Sequence, residues 1–568
     1  MKVIIVGGVA GGATAAARIR RLDESAQIVM FERSGYVSYA NCGLPYYIGG
    51  VIEDEGELTL QTPQSFRQRF AVDVRVRHEV TAIDPAAKTV TVRNLTSGEV
   101  WEESYDKLVL APGAKPSLPN FSGIDEEGVF TLRTVEDTLR IKRFVEAKQP
   151  KTAVLAGGGF ISLEMAENLS NLGVQVTIAQ AGNQLMDILD ADMACFVHNL
   201  LRQKGIKLQF GSRVSGLACD DDGTLLTLLD GQVPLKSDMV LLAIGVTPDT
   251  ALASAAGLRL GMRGSIEVNE RMETSARDIY AVGDAVQINH LVTGQPSLVS
   301  LAGPANKQAR IAADNICGGD SRYLGAQGSS VLKLFDMTVA ATGINEKTAK
   351  ELGVIYDKVV LGPNSHATYY PGAQVMTVKV LYEQPTLRLL GAQIIGGDGV
   401  DKRIDVLATA MQAGLTAVQL KDLDLAYAPP YSSAKDPVNM VGFMVENLQA
   451  GLFKQFHYED IAKLPRDGSV TLLDTRTEAE YQRGHIEGFI NIPLHTLRDR
   501  MAELPTGKPV YVNCHSGLRS YIACRMLAQN GYDCYNFSGG YRFYDANHRE
   551  AQFGEQIMKQ AYPCGMEK

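Results

Sequence analysis

Cysteine is scarce in this chain, with 8 in 568 residues, at positions 42, 195, 219, 317, 514, 524, 534 and 564, and no two of them form a C-x-x-C pair. So few thiols at such irregular spacing exclude a secreted disulfide framework and leave no structural zinc site, so no metal is expected. Long apolar runs are missing too: none approaches the ~18–20 residues of a bilayer-spanning helix, and MVLLAIGV at 239–246 has only the length of a strand. The opening MKVIIVGG meets glycine too early for a signal-peptide core. These absences lead to the expectation of a soluble, cytoplasmic protein without a membrane partner. There is no basic tail, and 55 Lys+Arg against 64 Asp+Glu give a net charge of −9. Nucleic acid is therefore not an expected partner, and any anionic ligand must be held by local basic clusters.

What remains is an ordinary globular composition, 45% hydrophobic and 21% charged. A single core stops growing at roughly 250–300 residues, so several domains are expected. Glycine is plentiful, 55 residues clustered beside apolar runs, which points to loops that cradle phosphates.

Strand, glycine turn, helix, strand is the order from Met1 to Glu32 (KVIIVGG, VAGGATAAARIRRL, QIVMFER), and it recurs at 152–180 (TAVLAGGG, FISLEMAENLSNLG, VQVTIAQ). Two Rossmann-like units in an α/β chain follow. Residues 325–450 mix strand and helix patterns without a phosphate loop, and GLFKQFHYEDIAKL at 451–464 reads as the helix that opens a further α/β module.

In the first loop Gly7, Gly8, Ala10, Gly11 and Gly12 supply the tight turn and close helix packing, with Val9 where a second glycine is usual, and Glu32 ends the next strand where a carboxylate accepts from a ribose diol. In the second, Gly157, Gly159, Phe160 and Ile161 open the helix and Gln180 replaces the carboxylate. A neutral amide without a neighbouring Arg favours NADH over NADPH only modestly. Glu164 is assigned to the nicotinamide end. Asp284, with Gly283, ends the IYAVGDAV strand and is suited to a ribityl chain; Arg33, Asn41, Ala111, Gly113 and Gly245 complete the candidate cofactor set.

With two nucleotide units and the segment SYANCGLPYY, residues 1 to about 450 resemble the pyridine nucleotide-disulfide oxidoreductase superfamily. The resemblance implies FAD bound by 1–112 and 240–322, NAD(P)H by 113–239, and a dimerisation domain at 323–450. Dithiol members carry C-x-x-x-x-C here, whereas five residues after Cys42 stands Tyr47. A single sulfur must share a disulfide with a thiol ligand or pass through a sulfenic acid. Pro45 suits a first helical turn, so a helix end is expected to lower the Cys42 pKa. Within the superfamily the match is to coenzyme A disulfide reductases, which implies coenzyme A as ligand or mixed disulfide on Cys42, near Thr14, Ser38, Asn41 and Lys435. Arg18 and Arg21, three apart on one helix, are expected to meet its phosphates. The stretch LAYAPPYSSAKD has no His, and Tyr427 with Tyr369 or Tyr370 of HATYYPG resembles the family's acid tyrosines from the dimer mate. A homodimer with shared sites follows.

V510-Y-V-N-C514-H-S-G-L-R519 places Cys514 after a buried strand and Arg519 five residues on, immediately before a helix. Loop amides, Arg519 and the helix dipole are expected to stabilise a thiolate or persulfide. Together with LDTR, Glu480 and RGHIEGFINIP, residues 455–568 resemble a rhodanese. The whole chain then resembles coenzyme A disulfide reductase–rhodanese fusions that reduce disulfides, persulfides or polysulfide. The alternatives are an NADH oxidase or peroxidase using a Cys42 sulfenic acid, and a stoichiometric flavoprotein sensor or sulfur carrier. Cys564 in the tail is a candidate resolving thiol.

Overall fold

The structure, a computed structural model, describes residues 1–118 and 120–561, with side chains through 554; Cys564 lies outside the described residues. The chain forms two compact units, Met1–Met186 with Lys204–Gly328, and Asp187–Gln203 with the residues from Ser329 onward.

The first unit holds two parallel five-stranded sheets. In one, Lys2–Val6 lies centrally between Lys107–Leu110 and Gln27–Glu32, with Ile279–Ala281 and Val72–Val76 outside. Val3, Ile4 and Ile5 are fully buried, as a central strand covered on both faces requires. Because the strands run parallel, their carboxyl ends share one edge, and the turns after Val6, Glu32, Leu110 and Ala281 gather there. The other sheet repeats this with Thr152–Ala156 between Gln175–Ala179 and Met239–Leu242. Its carboxyl edge collects Gly157, Gln180 and the turn to Gly245.

The second unit contains an antiparallel five-stranded sheet and a parallel one. In the antiparallel sheet Leu389–Gly396 is buried along its whole length, with helix Val400–Gln412 against it. The parallel sheet has Val510–Asn513 between Thr471–Asp474 and Cys534–Phe537, so Cys514 follows at its carboxyl edge. Helix Pro437–Gln449 joins the two cores through Val445 on one side and Leu448 on both.

One expectation is corrected. The segment from 451 is not a long helix: Lys454–Phe456 is an edge strand beside Cys534–Phe537, and helix is confined to Tyr458–Ile461. Phe453 and Phe456 are each buried, in two different core clusters, and His457 with Asp460 caps the short helix. Helix Ala191–Gln203 groups with the second compact unit and packs on the helix Gly540–Ala561. Among the described residues no helix is long and apolar enough to cross a membrane.

Candidate active site

At the first sheet edge the glycines are dictated by space. Gly7 has φ +97°, and a Cβ there would lie 2.1 Å from the Ala111 carbonyl oxygen; one on Gly12 would lie 1.8 Å from the Gly7 oxygen. Val9 stands at φ −100°, so no left-handed backbone calls for a glycine there. Helix Ala10–Leu22 starts without a side-chain cap, leaving first-turn N–H groups, Gly11 included, for a ligand. The buried Glu32 carboxylate accepts from the N–H groups of Gly8 and Ser34, each at 2.8 Å, and so fixes the loop. Gly113 adopts φ +69° and Gly283 φ +85°, the latter donating its N–H to Gln308 at 2.7 Å. Asp284 is paired with Arg133 at 2.7 Å, and Arg33 with Asp249 at 2.8 Å.

The second loop is built alike. Gly157 has φ +106°, where a Cβ would meet the Ala243 oxygen at 2.4 Å, whereas Gly159 and Gly245 face open space. Gly159 caps helix Phe160–Asn171 without a side-chain bond, with Phe160 and Ile161 in its first turn. Gln180 donates its amide to the Gln184 carbonyl at 3.1 Å. Glu164, in the second turn, has its pKa pushed up to about 7, by burial first and then by Glu167.

Cys42 lies in the turn Asn41–Gly43, exposed to solvent yet in an acidic neighbourhood. Its pKa is raised, by partial desolvation first, then by Glu164 and Asp284, with Arg133 opposing. This is opposite to the expected lowering: the following helix, Leu44–Ile48, has only five residues, and desolvation of the thiol leads the upward shift, with the Glu164 and Asp284 carboxylates adding to it. Arg133 was missed by sequence reasoning because nothing in TLRTVED marks it; only the fold brings it to Asp284. Tyr47, at the position of a second thiol, is buried beneath Lys142, 4.5 Å from its ring centre.

The residues expected around coenzyme A are spread among several partners. Ser38 takes φ +49° and donates its N–H to Gly8 at 2.8 Å; Thr14 bonds Asn306. Arg18 and Arg21 do not form a clamp: Arg18 is paired with Asp314 at 2.7 Å, and Arg21 lies over the Phe70 ring at 5.6 Å. Lys435 is exposed in the loop before Pro437, its carbonyl accepting from Ser433.

In the second unit the hydroxyls of Tyr369 and Tyr427 meet at 2.7 Å, while Tyr370 sets its ring edge-on to His366 at 5.7 Å. Of the two, Tyr369 is the one whose hydroxyl meets Tyr427.

Cys514 is buried, its sulfur accepting from the Gly517 N–H at 3.1 Å and the Ser520 hydroxyl at 3.2 Å. Gly517, at φ +95°, caps helix Leu518–Ala528, so Arg519 sits within the first turn and not before it. The carbonyls of Cys514 and His515 accept from the N–H groups of Tyr541 and Arg542, at 2.7 and 3.0 Å, which anchors the loop. Arg519 makes two 2.7 Å bonds to Glu480, holding that carboxyl well below the usual range. Its charge is thus shared with Glu480 and not given wholly to the thiol. Ser520 was passed over in the sequence, although it directly follows Arg519.

Three family models match the chain: pyridine nucleotide-disulphide oxidoreductase over residues 1–306, the dimerisation domain of that family over 329–437, and a rhodanese-like domain over 457–547. The coenzyme A disulfide reductase of Staphylococcus aureus strain JH9 is 37% identical over 443 residues, 78% of this chain and 99% of that protein. Among solved structures, reduced CoADR-RHD of Bacillus anthracis is 46% identical with a TM-score of 0.93, covering 97% of this chain and 98% of that one. An NAD-dependent persulfide reductase from A. fulgidus is 38% identical with a TM-score of 0.90, covering 96% and 100%. The chain belongs to the pyridine nucleotide-disulphide oxidoreductase family, as an enzyme that continues through the family's dimerisation domain into a rhodanese-like domain.

Proposed function

We propose that this enzyme uses NAD(P)H to reduce coenzyme A disulfide, coenzyme A persulfide or polysulfide through the single thiol of Cys42, coupled to sulfane-sulfur transfer at Cys514. The supporting observation is the solitary Cys42 beside the carboxylate of Glu164, with buried Tyr47 where a vicinal thiol would stand. The family implies FAD and NAD(P)H. The residues fit both: two uncapped helix starts, after Val9 and Gly159, and a cradle of glycines that side chains would fill. Gly7–Gly12, Glu32 and Asp284 would hold the flavin, and Gly157–Ile161, Glu164 and Gln180 the nicotinamide. Bound, the flavin supplies two-electron transfer from the nicotinamide to a sulfur–sulfur bond.

Cys42, as thiolate, attacks the substrate's S–S bond, forming a mixed disulfide and expelling a thiolate. Glu164, titrating near neutrality, can hold a proton beside Cys42. The expelled thiolate takes a proton from Tyr427, whose phenol is backed by Tyr369. The chain would pair through residues 329–437, with the Tyr369–Tyr427 pair of one subunit serving Cys42 of the other. At Cys514, the Gly517 N–H and the Ser520 hydroxyl stabilise the anion of a thiolate or persulfide.

The test is NADH-dependent reduction of coenzyme A disulfide and persulfide by the purified enzyme, with the mass of any thiol released from it by a reductant. The reading expects Cys42→Ser to abolish reduction and coenzyme A to be the released thiol. Steady NADH consumption with oxygen alone would overturn it. The coupled route fails if Cys514→Ser leaves reduction of bulky persulfides unchanged.

A further inference from the structure

Beside the Cys514 loop lies an open cavity of about 340 Å³, and its lining includes Thr475, Arg519, His495, Arg498, Ile522 and Met526. Two of its lining residues flank the loop that carries the thiol. Thr475 binds the Asn513 carbonyl, the residue before Cys514, through both its N–H and its hydroxyl at 2.9 Å, and Arg519 closes the loop after it.

The charges in this cavity differ in what they already hold. Arg519 is taken up bidentately by Glu480. Arg498 is exposed and forms no ion pair among the described residues. In a chain of net charge −9, a guanidinium lining a cavity without a carboxylate partner favours an anion. Ile522 and Met526 give the same cavity apolar lining. A volume at the low end of the ~300–1,000 Å³ of small-molecule sites suits an organic molecule; a bare thiosulfate ion would leave most of it to water.

We infer that this cavity binds an organic persulfide by an oxyanion head, carboxylate or phosphate, with Arg498 as the residue that selects it. This rests on the reading of Cys514 as a sulfane-sulfur carrier. The persulfide R–S–S⁻ lies with its alkyl part on Ile522 and Met526 and its terminal sulfur toward Cys514. The Cys514 thiolate attacks that sulfur: the donor S–S bond breaks, a Cys514 S–S bond forms, and R–S⁻ leaves. Apart from the oxyanion head, which stays on the leaving thiolate, two negative charges enter on sulfur and two remain, one on the sulfur of each product, and no outside oxidant or reductant is consumed.

The test uses the full-length enzyme without NADH, with cyanide as sulfur acceptor and thiocyanate as readout. Donors generated in place are mercaptoacetate persulfide, coenzyme A persulfide and the neutral mercaptoethanol persulfide. For Arg498→Ala, the ratio of kcat/KM for an anionic donor over the neutral one is expected to fall about tenfold, through KM, the loss of one charge-assisted contact. Arg498→Lys should recover part of it. Loss confined to mercaptoacetate identifies a carboxylate head, and loss confined to coenzyme A a phosphate. Unchanged ratios, or equal losses for all donors, overturn the inference. Thiocyanate formation that survives Cys514→Ser instead overturns the underlying reading of the carrier thiol.

Discussion

The hydroxyl of Tyr369 meets that of Tyr427 at 2.7 Å, and this contact raises the pKa of Tyr427. In the proposed reaction, a phenol held protonated in this way would donate to the leaving thiolate and stay loaded across neutral pH. Tyr427→Phe is expected to lower kcat for disulfide reduction by roughly 10², with no recovery between pH 6 and 9. Tyr369→Phe, which leaves the Tyr427 phenol in place, should cost less, and Tyr370→Phe least of all. Equal losses in steady-state turnover for the three variants would refute the pairing.

Glu164 and Cys42 are coupled with a definite sign. The carboxylate, ionised above a pKa of about 7, raises the thiol pKa. Glu164→Gln removes that charge, so the pH midpoint of Cys42 alkylation by iodoacetamide should move down. Stability follows a second sign. The folded pKa lies above the carboxylate's ordinary value of 4.5, so its stabilising contribution is complete below 4.5 and lost as pH climbs through about 7. The stability of Glu164→Gln relative to the parent enzyme should therefore increase from pH 5 to pH 8. An alkylation midpoint that rises would count against the coupling.

Gly362 allows the Cys514 loop to close against the neighbouring sheet. A Cβ at 362 would stand 2.7 Å from the Cβ of Ser516, and beside this contact Ser538 accepts the Val360 N–H at 2.9 Å. Gly362→Ala is expected to strain the loop by about 1–3 kcal/mol. Thiocyanate formation should fall, while NADH-dependent reduction of coenzyme A disulfide declines less. A transfer rate equal to that of the parent would show that the loop does not need this contact.

How far the sequence reached is seen in particular residues. Gly7, Gly12 and Gly157 were legible because a tight strand-to-helix turn leaves room for nothing else. Cys514 and its loop were legible because a short segment carries the thiol, the capping Gly517 and the helix start together. What escaped depends on partners distant in sequence. Arg133 reaches Asp284 across 151 residues, and Asp314 captures Arg18 across 296. No local pattern announces such pairs. The edge strand at 454–456 was missed for a related reason: its ladder partner, Cys534–Phe537, lies far along the chain.

Lys379 is fully buried, its ammonium held by Asp190 at 2.9 Å, Asp192 at 2.7 Å and Glu346 at 2.5 Å. Burial alone would depress its pKa, but the three carboxylates more than offset this and hold it above the ordinary lysine value. Lys358 carries the network on, from Glu346 to Glu459 of the C-terminal module, at 2.8 Å each. Lys379→Met keeps the volume but leaves buried carboxylates without their cation, a loss of about 3–5 kcal/mol. Those carboxylates would then bind protons more tightly folded than unfolded, so the variant should lose stability as pH rises from 5 to 8, more steeply than the parent. Urea unfolding at the two pH values, followed by fluorescence, measures both effects. A deficit that is small, or that shrinks toward pH 8, would show that the carboxylates do not rely on this lysine.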